Sequence, residues 1–186
     1  IGALLGIRRP SSDGKFTRDW LPLFAQGESG YNNLCRLVSM AHLDRPEDLD
    51  AHVTLEQLDA HKDGLIALTG GAEGAVARLL SEGQHEAASN YLTRLQALFS
   101  EHLYIELSRR NDAVEDAAEN ALIDLAYARD IPLVATNPAF FAEPDFFDAH
   151  DAMLCISDGA YIESTDRRRS SKDTWIKTGK QMGALF

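Results

Sequence analysis

Apolar residues recur along this chain in short blocks, and the spacing inside each block separates strands from helices. Ile1–Ile7 is almost continuously apolar or glycine and predicts a strand. The polar stretch from Arg8 to Asp19 carries Pro10, Ser11, Ser12, Asp13 and Gly14 and predicts a turn or hairpin tip. Trp20–Ala25 predicts a second strand. Pro22 predicts an edge or strand-end position for it, because proline cannot donate to a ladder. Glu28–Met40 predicts a helix with Tyr31, Leu34, Cys35, Leu37 and Val38 on one face. The acidic Leu43–His52 stretch, with Pro46, predicts a loop. Thr54 followed by Gln57 predicts a reciprocal cap that opens a short helix ending near Ala60.

The middle of the chain is the most regular. Gly64–Thr69 predicts a buried strand that runs into Gly70-Gly71. Helices follow at Ala75–Leu80, closed by Gly83, and at Gln84–Ser100, with Ala88, Tyr91, Leu92, Leu95, Leu98 and Phe99 inward. Leu103–Leu107 predicts a strand. Asp112–Ala128 predicts a helix facing inward through Ala117, Ala121, Leu122 and Leu125. Ile131–Thr136 predicts another strand. Strands alternating with helices in this way predict parallel pairing through right-handed crossovers. Phe146–Ile156 predicts a final helix. The tail, 157–186, reads as irregular, anchored by Trp175 and Leu185-Phe186.

The chain has 186 residues, which fits one domain or one domain with a small appendage. Its 18 basic against 29 acidic side chains give a formal charge of -11, which repels phosphate backbones and argues against stand-alone nucleic-acid binding. The one local exception is the run Arg167-Arg168-Arg169. Cys35 and Cys155 lie far apart in no metal-binding spacing and read as reduced, packed thiols of a cytoplasmic protein. No apolar run approaches the roughly 18 residues of a membrane span, and no signal peptide is present. The chain opens at Ile1 inside an apolar run, which predicts a piece excised from a longer protein.

In a parallel sheet, ligands sit at the carboxyl ends of strands. Three such ends are predicted. Thr69-Gly70-Gly71 could present backbone N–H groups to an anion, or it could be only a tight turn into a helix. Beyond Glu106 and Ser108, Arg109 and Arg110 could grip an anion, or they could be solvated surface charges. Thr136-Asn137-Pro138 leads into Ala139, Phe140 and Phe141, where a hydrolytic metal site would place histidine or aspartate. Among six histidines, none pairs with another in a zinc-binding helix motif. His150, flanked by Asp148 and Asp151, is the most suggestive as a ligand, against a structural role in which it bonds a backbone group. No Ser-His-Asp or Cys-His set can be assembled, and the G-x-S-x-G elbow is absent.

Several segments, in order, resemble one family. They are Leu23-Phe24-Ala25-Gln26 with Gly30-Tyr31-Asn32-Asn33-Leu34, then Gly64–Gly71, Leu103–Leu107, Pro132–Asn137, Phe147–Asp151 and Met182–Phe186. The family is the bacterial DNA polymerase III alpha subunit, in its N-terminal polymerase-and-histidinol-phosphatase (PHP) domain. The resemblance covers nearly the whole chain. It implies an α/β fold: a distorted, truncated β/α barrel of mostly parallel strands, with 1–186 forming a partial PHP domain. The first strands and their His-x-His motif would precede Ile1, and 157–186 would lead toward the polymerase palm.

The resemblance also implies where metal-bearing relatives keep their ligands. The matching positions here are Leu4, Gly71, Arg110, Pro138 and Phe140. Four have no donor side chain, and arginine stays protonated. The implied function is a non-catalytic domain of a DNA-directed DNA polymerase, without metal or other cofactor. Its implied partners are the rest of the alpha subunit and a proofreading exonuclease subunit, with DNA reached only through domains not in this chain. Self-association at the edge beside Ile1–Ile7 is also expected. Alternatives remain open. One is an active metal-dependent phosphoesterase or 3′–5′ exonuclease recruiting His61, His102, His150, Asp148 or Asp151. Another is an anion-binding module built on Gly70, Gly71, Arg109 and Arg110. The same domain in an error-prone paralogue is a third.

Overall fold

A computed structural model describes residues 1–10 and 14–186. Of the stretch Arg8–Asp19 expected as a turn, Arg8–Pro10 and Phe16–Asp19 instead pair as strand, because cross-strand pairing extends past the apolar residues; Ser11, Ser12 and Asp13 lie outside the described residues.

The chain folds as β1 (Gly2–Pro10), β2 (Phe16–Ala25), α1 (Glu28–Leu43), α2 (Leu55–Ala60), β3 (Leu65–Leu68), α3 (Ala75–Ser81), α4 (His85–Phe99), β4 (Leu103–Leu107), α5 (Ala113–Arg129), β5 (Leu133–Ala135), α6 (Phe147–Asp158) and α7 (Gly179–Leu185). The five strands lie in sequence order in one open sheet. β1 and β2, and β2 and β3, pair antiparallel; β3, β4 and β5 run parallel. This is an α/β fold consistent with a truncated PHP barrel.

Alternate residues of the sheet feed one core. Leu5, Ile7, Leu21, Leu23, Leu65, Ala67, Leu103 and Ile105 are all buried there with Leu34 and Leu37 of α1, Val76 and Leu79 of α3, and Leu92 and Leu95 of α4. Each such leucine, fully buried, stabilises the fold by roughly 1.5–3 kcal/mol. On the opposite face, Leu4 is 51% and Phe24 43% exposed. Parallel sheets are normally covered on both faces. At the core's margin the Asp19 carboxylate is 1% exposed, so it needs partners. Arg9 Nε at 2.6 Å and Arg78 Nη1 at 3.2 Å supply them.

Several expectations are corrected by the sheet. β2 is an interior strand, so Pro22 is not at an edge. Its position is still physically explained. The Ala25 N–H donates to Ile1 O toward β1, and the Gln26 N–H donates to Gly64 O on the β3 side. By alternation, the donor that Pro22 lacks would face β3, where the ladder begins only at Leu23↔Ala67. Proline therefore sits where the β2–β3 pairing stops.

The faces of two helices are rotated from expectation. α1 buries Gly30, Leu34, Leu37 and Ala41, and leaves Tyr31 and Cys35 exposed. Gly30 is the reason: a Cβ there would lie 2.0 Å from Gly64 O, so the helix approaches the start of β3 through its glycine. Cys35 is thus a surface thiol, and only Cys155 is packed. α5 turns Glu115, Ala118, Leu122 and Ala126 inward instead of Ala117. Its start is set by Asp112, whose carboxylate accepts from the Val114 N–H at 2.9 Å. The Thr54–Gln57 capping box forms as expected.

Candidate functional site

Because β3, β4 and β5 are parallel, their carboxyl ends gather Thr69, Glu106, Ser108 and Thr136 on one side of the domain. A hydrogen-bonded network results. The Glu106 N–H donates to Thr69 Oγ1 at 3.0 Å. The Thr136 hydroxyl donates to Glu106 Oε1 at 2.7 Å, and the Gly70 N–H donates to Oε2 at 3.1 Å. Burial pushes the Glu106 carboxyl above its ordinary range, and Glu115 adds to the rise. The Thr136 and Gly70 donors and the Arg110 charge oppose it. Sequence reasoning flagged Glu106 at this strand end and missed its partners. The signal was a threonine or serine at the end of each apolar run.

The turn after β3 is a tight structural turn. Gly70 has φ 89°, and a Cβ there would lie 2.2 Å from Trp20 O; a Cβ on Gly74 would lie 1.8 Å from Thr69 O. The Gly70 N–H is committed to Glu106, and Gly71, at φ 51°, opens a single 3₁₀ turn. Of the two readings of Gly70-Gly71, the tight turn is the one these contacts describe, and the Gly70 donor is already used.

The two arginines after β4 part ways. Arg109 donates from Nη2 and Nε to Glu119 at 2.6 and 3.1 Å and from Nη1 to Leu185 O at 2.6 Å, and it stacks over the Phe186 ring. It is a strut between α5 and the chain's last residues, neither a solvated surface charge nor a free anion grip. Arg110 places Nε 2.9 Å from Glu115 Oε1. That Nε makes no hydrogen bond; Glu115, only 6% exposed, accepts from the Ser108 hydroxyl and from the Arg110 backbone N–H.

Past β5, Asn137 donates to Trp175 O at 2.7 Å and accepts from Lys177 at 3.1 Å, which ties the strand end to the tail. Phe140 stacks on His150 with ring centroids 5.9 Å apart and planes 3° apart. His150 Nδ1 lies 3.0 Å from the Ser170 hydroxyl, a side-chain partner instead of the backbone group expected.

The sequence-assigned positions do not form one cluster. Arg110 and Phe140 share a cavity with His150, and Gly71 lines a different, small one with Glu106 and Ser108. Leu4 lines a separate depression beside Trp20 and Arg18. The set that an active hydrolase would have to recruit is scattered too. His61 ends α2 just before β3, and His102 directly precedes β4, so both sit at the amino ends of strands, opposite His150. Asp151 is held by both terminal nitrogens of Arg167 at 2.6 Å, which keeps its carboxyl below the ordinary range. Among the described residues, no three His, Cys, Asp or Glu side chains converge as a metal-binding group.

The basic run is wired inward. The Arg167 side chain is 4% exposed, and Arg168 donates to both Asp158 oxygens at 2.9 and 3.0 Å. Two of the three charges thus fasten the tail to α6. The tail itself is less irregular than expected: Thr178 and Gln181 form a capping box that starts α7.

A mixed five-stranded sheet with a parallel centre and a polar network at its strand ends defines an α/β domain consistent with a truncated PHP barrel. A PHP domain profile matches residues 1–110, more than half of the chain, and the chain belongs to the PHP domain family. It is similar to the DNA polymerase III subunit alpha of Caulobacter vibrioides, with 43% identity over 166 residues. That match covers 89% of this chain and 14% of the relative. The corresponding protein of Rickettsia bellii is 36% identical over 88% of this chain and 14% of its own length. That of Vibrio cholerae is 32% identical over 100% of this chain and 16% of its own length. The chain thus spans about a seventh of the length of these relatives. No helix among the described residues is long and apolar enough to cross a membrane.

Proposed function

We propose that this chain is a non-hydrolytic PHP domain of a bacterial replicative DNA polymerase alpha subunit, working in the cytoplasm as a scaffold. Its partners are the remainder of that subunit, through which DNA is reached, and a proofreading exonuclease subunit docked on this domain. The reading rests on similarity to polymerase III alpha subunits along most of the chain. The observation that carries its non-hydrolytic part is the Arg110–Glu115 pair. A fixed cation 2.9 Å from a buried carboxylate occupies a position where the family resemblance implies a ligand. It repels a metal ion and uses up the nearest carboxylate.

The test is elemental analysis combined with assays of phosphomonoester and 3′-end hydrolysis on the purified chain. The expected result is no stoichiometric Zn²⁺, Mn²⁺ or Mg²⁺ and no chelator-sensitive turnover. One equivalent of bound transition metal with turnover abolished by chelation would overturn the non-hydrolytic reading. Exonuclease docking is tested separately, by co-purification of a proofreading exonuclease with the intact alpha subunit and its loss when this domain is removed.

A further inference from the structure

Single exposed apolar residues, such as Leu43 on α1 and Tyr127 on α5, are ordinary on a protein surface. α6 and the turn after it carry a contiguous set. Phe146, at the helix start, and Ala149, Met153 and Ile156 recur at spacings of three and four residues, so they share one face, and all are exposed. Met153 is 68% and Ile156 81% exposed. Other side chains of α6 already pack inward: Cys155 is buried, and the Phe147 ring meets Phe141 edge-on with centroids 6.1 Å apart. Two more exposed apolar side chains, Tyr161 and Ile162, are fixed beside the helix. The Ala160 N–H donates to Cys155 O at 2.9 Å. Ile162 O accepts from Arg167 Nε at 3.2 Å and Nη2 at 3.1 Å, and the same guanidinium grips Asp151. The surroundings are acidic. Glu143, Asp145, Asp148, Glu163 and Asp166 are exposed, and their side chains make no hydrogen bond or ion pair among the described residues. The cations of this stretch are engaged: Arg167 with Asp151, Arg168 with Asp158, Arg169 with Ser164 O, and Lys172 over the Phe147 ring.

We propose that the outer face of α6, with Tyr161 and Ile162, docks the remainder of the same alpha-subunit polypeptide through an apolar segment flanked by Lys and Arg. Docking in cis rests on this chain being part of such a subunit. Charge defines the chemistry of the partner, because unpaired carboxylates around an apolar centre select a basic rim and reject an acidic one. Length favours the source. The Vibrio cholerae relative matches this chain over 100% of its extent but only 16% of its own, so most of that polypeptide lies outside these residues. A tethered partner arrives at an effective concentration of about a millimolar, so an inter-domain contact of roughly 600–1,500 Å² is enough to hold it. A preformed stripe, anchored by Arg167, loses little further freedom on docking.

The test is hydroxyl-radical footprinting of the intact alpha subunit that contains this domain, with primer extension measured on the same sample. Oxidation rates at Met153 and Tyr161 are compared between the native and the urea-unfolded subunit. The centre of an interface is fully buried, so both side chains are expected to react at least about fivefold more slowly in the native subunit. Tyr161 is 83% exposed in the domain itself, which would give little protection without docking. Met153→Glu combined with Ile156→Glu places two charges in the stripe at positions exposed in the domain. This variant is expected to return Tyr161 to near its unfolded rate and to speed proteolytic release of the domain by about tenfold or more. Leu43→Glu, at the exposed end of α1, should change neither. Primer extension with Met153 and Tyr161 unprotected, or Tyr161 still protected in the double variant, would overturn the docking and leave the polymerase reading intact. A subunit that extends no primer would overturn both. Protection that appears only when an exonuclease subunit is added would overturn the assignment in cis.

Discussion

Replacing Arg110 by alanine tests the most consequential electrostatic arrangement at the strand ends. The substitution strips the cation from a carboxylate that is 6% exposed. Breaking a buried pair from one side typically costs about 3–5 kcal/mol, because the remaining charge is left uncompensated. Here Glu115 keeps two donors, the Ser108 hydroxyl and the backbone N–H of residue 110. Those donors keep the remaining carboxylate partly solvated by the protein, so the loss should fall at or just below the low end of that range, about 2–3 kcal/mol. Adding Glu115→Gln removes the orphaned charge; its single amide oxygen can accept from the backbone N–H of residue 110, and its NH2 can donate to the Ser108 hydroxyl, which rotates to accept. The double variant should recover about 1–2 kcal/mol of the loss. Urea unfolding of the wild type, both single variants and the double variant at pH 7 reads this cycle directly. A loss under about 0.5 kcal/mol for Arg110→Ala, with no coupling to Glu115, would refute the reasoning and mean that water reaches the pair freely.

Three further outcomes follow from the same structure. Glu106 has a raised folded-state pKa, so its favourable contribution is fully present below its ordinary range and is lost as pH rises through the raised value. Glu106→Gln should therefore stabilise the chain at pH 7 relative to wild type, and the advantage should vanish toward pH 4, as followed by thermal unfolding across pH. Gly70→Ala puts a Cβ 2.2 Å from Trp20 O in a left-handed conformation and should cost at least about 3 kcal/mol in denaturant titration; a loss under about 1 kcal/mol would contradict the close approach. At the free edge of β1, the 51–53 segment covers Gly6 and Arg8 but leaves Gly2 and Leu4 open, so concentration-dependent self-association is expected in light scattering and should fall when Leu4→Lys charges that edge.

The alternation of apolar blocks was enough to find every strand, and to find α1 to α6 within a few residues. Capping chemistry marked α2 unambiguously, because a threonine and a glutamine three residues apart can satisfy each other's backbone locally. The parallel order of the last three strands was also legible, since a helix between two strands leaves little other choice. What depended on distant residues was not. The inward face of α1 was decided by Gly30 meeting Gly64, and the place of Pro22 by where β3 ends, neither of which has a signature in local spacing. Arg109 and Arg110 look equivalent in the chain. Only the packing of α5 and the tail separated them into a strut to Leu185 and a cation beside Glu115. The basic run 167–169 likewise reads as a surface patch until α6 brings Asp151 and Asp158 against it. Periodicity fixes which elements form because it reflects burial along one element. Charge pairing and cavity walls are set by which elements meet, and that is decided in three dimensions.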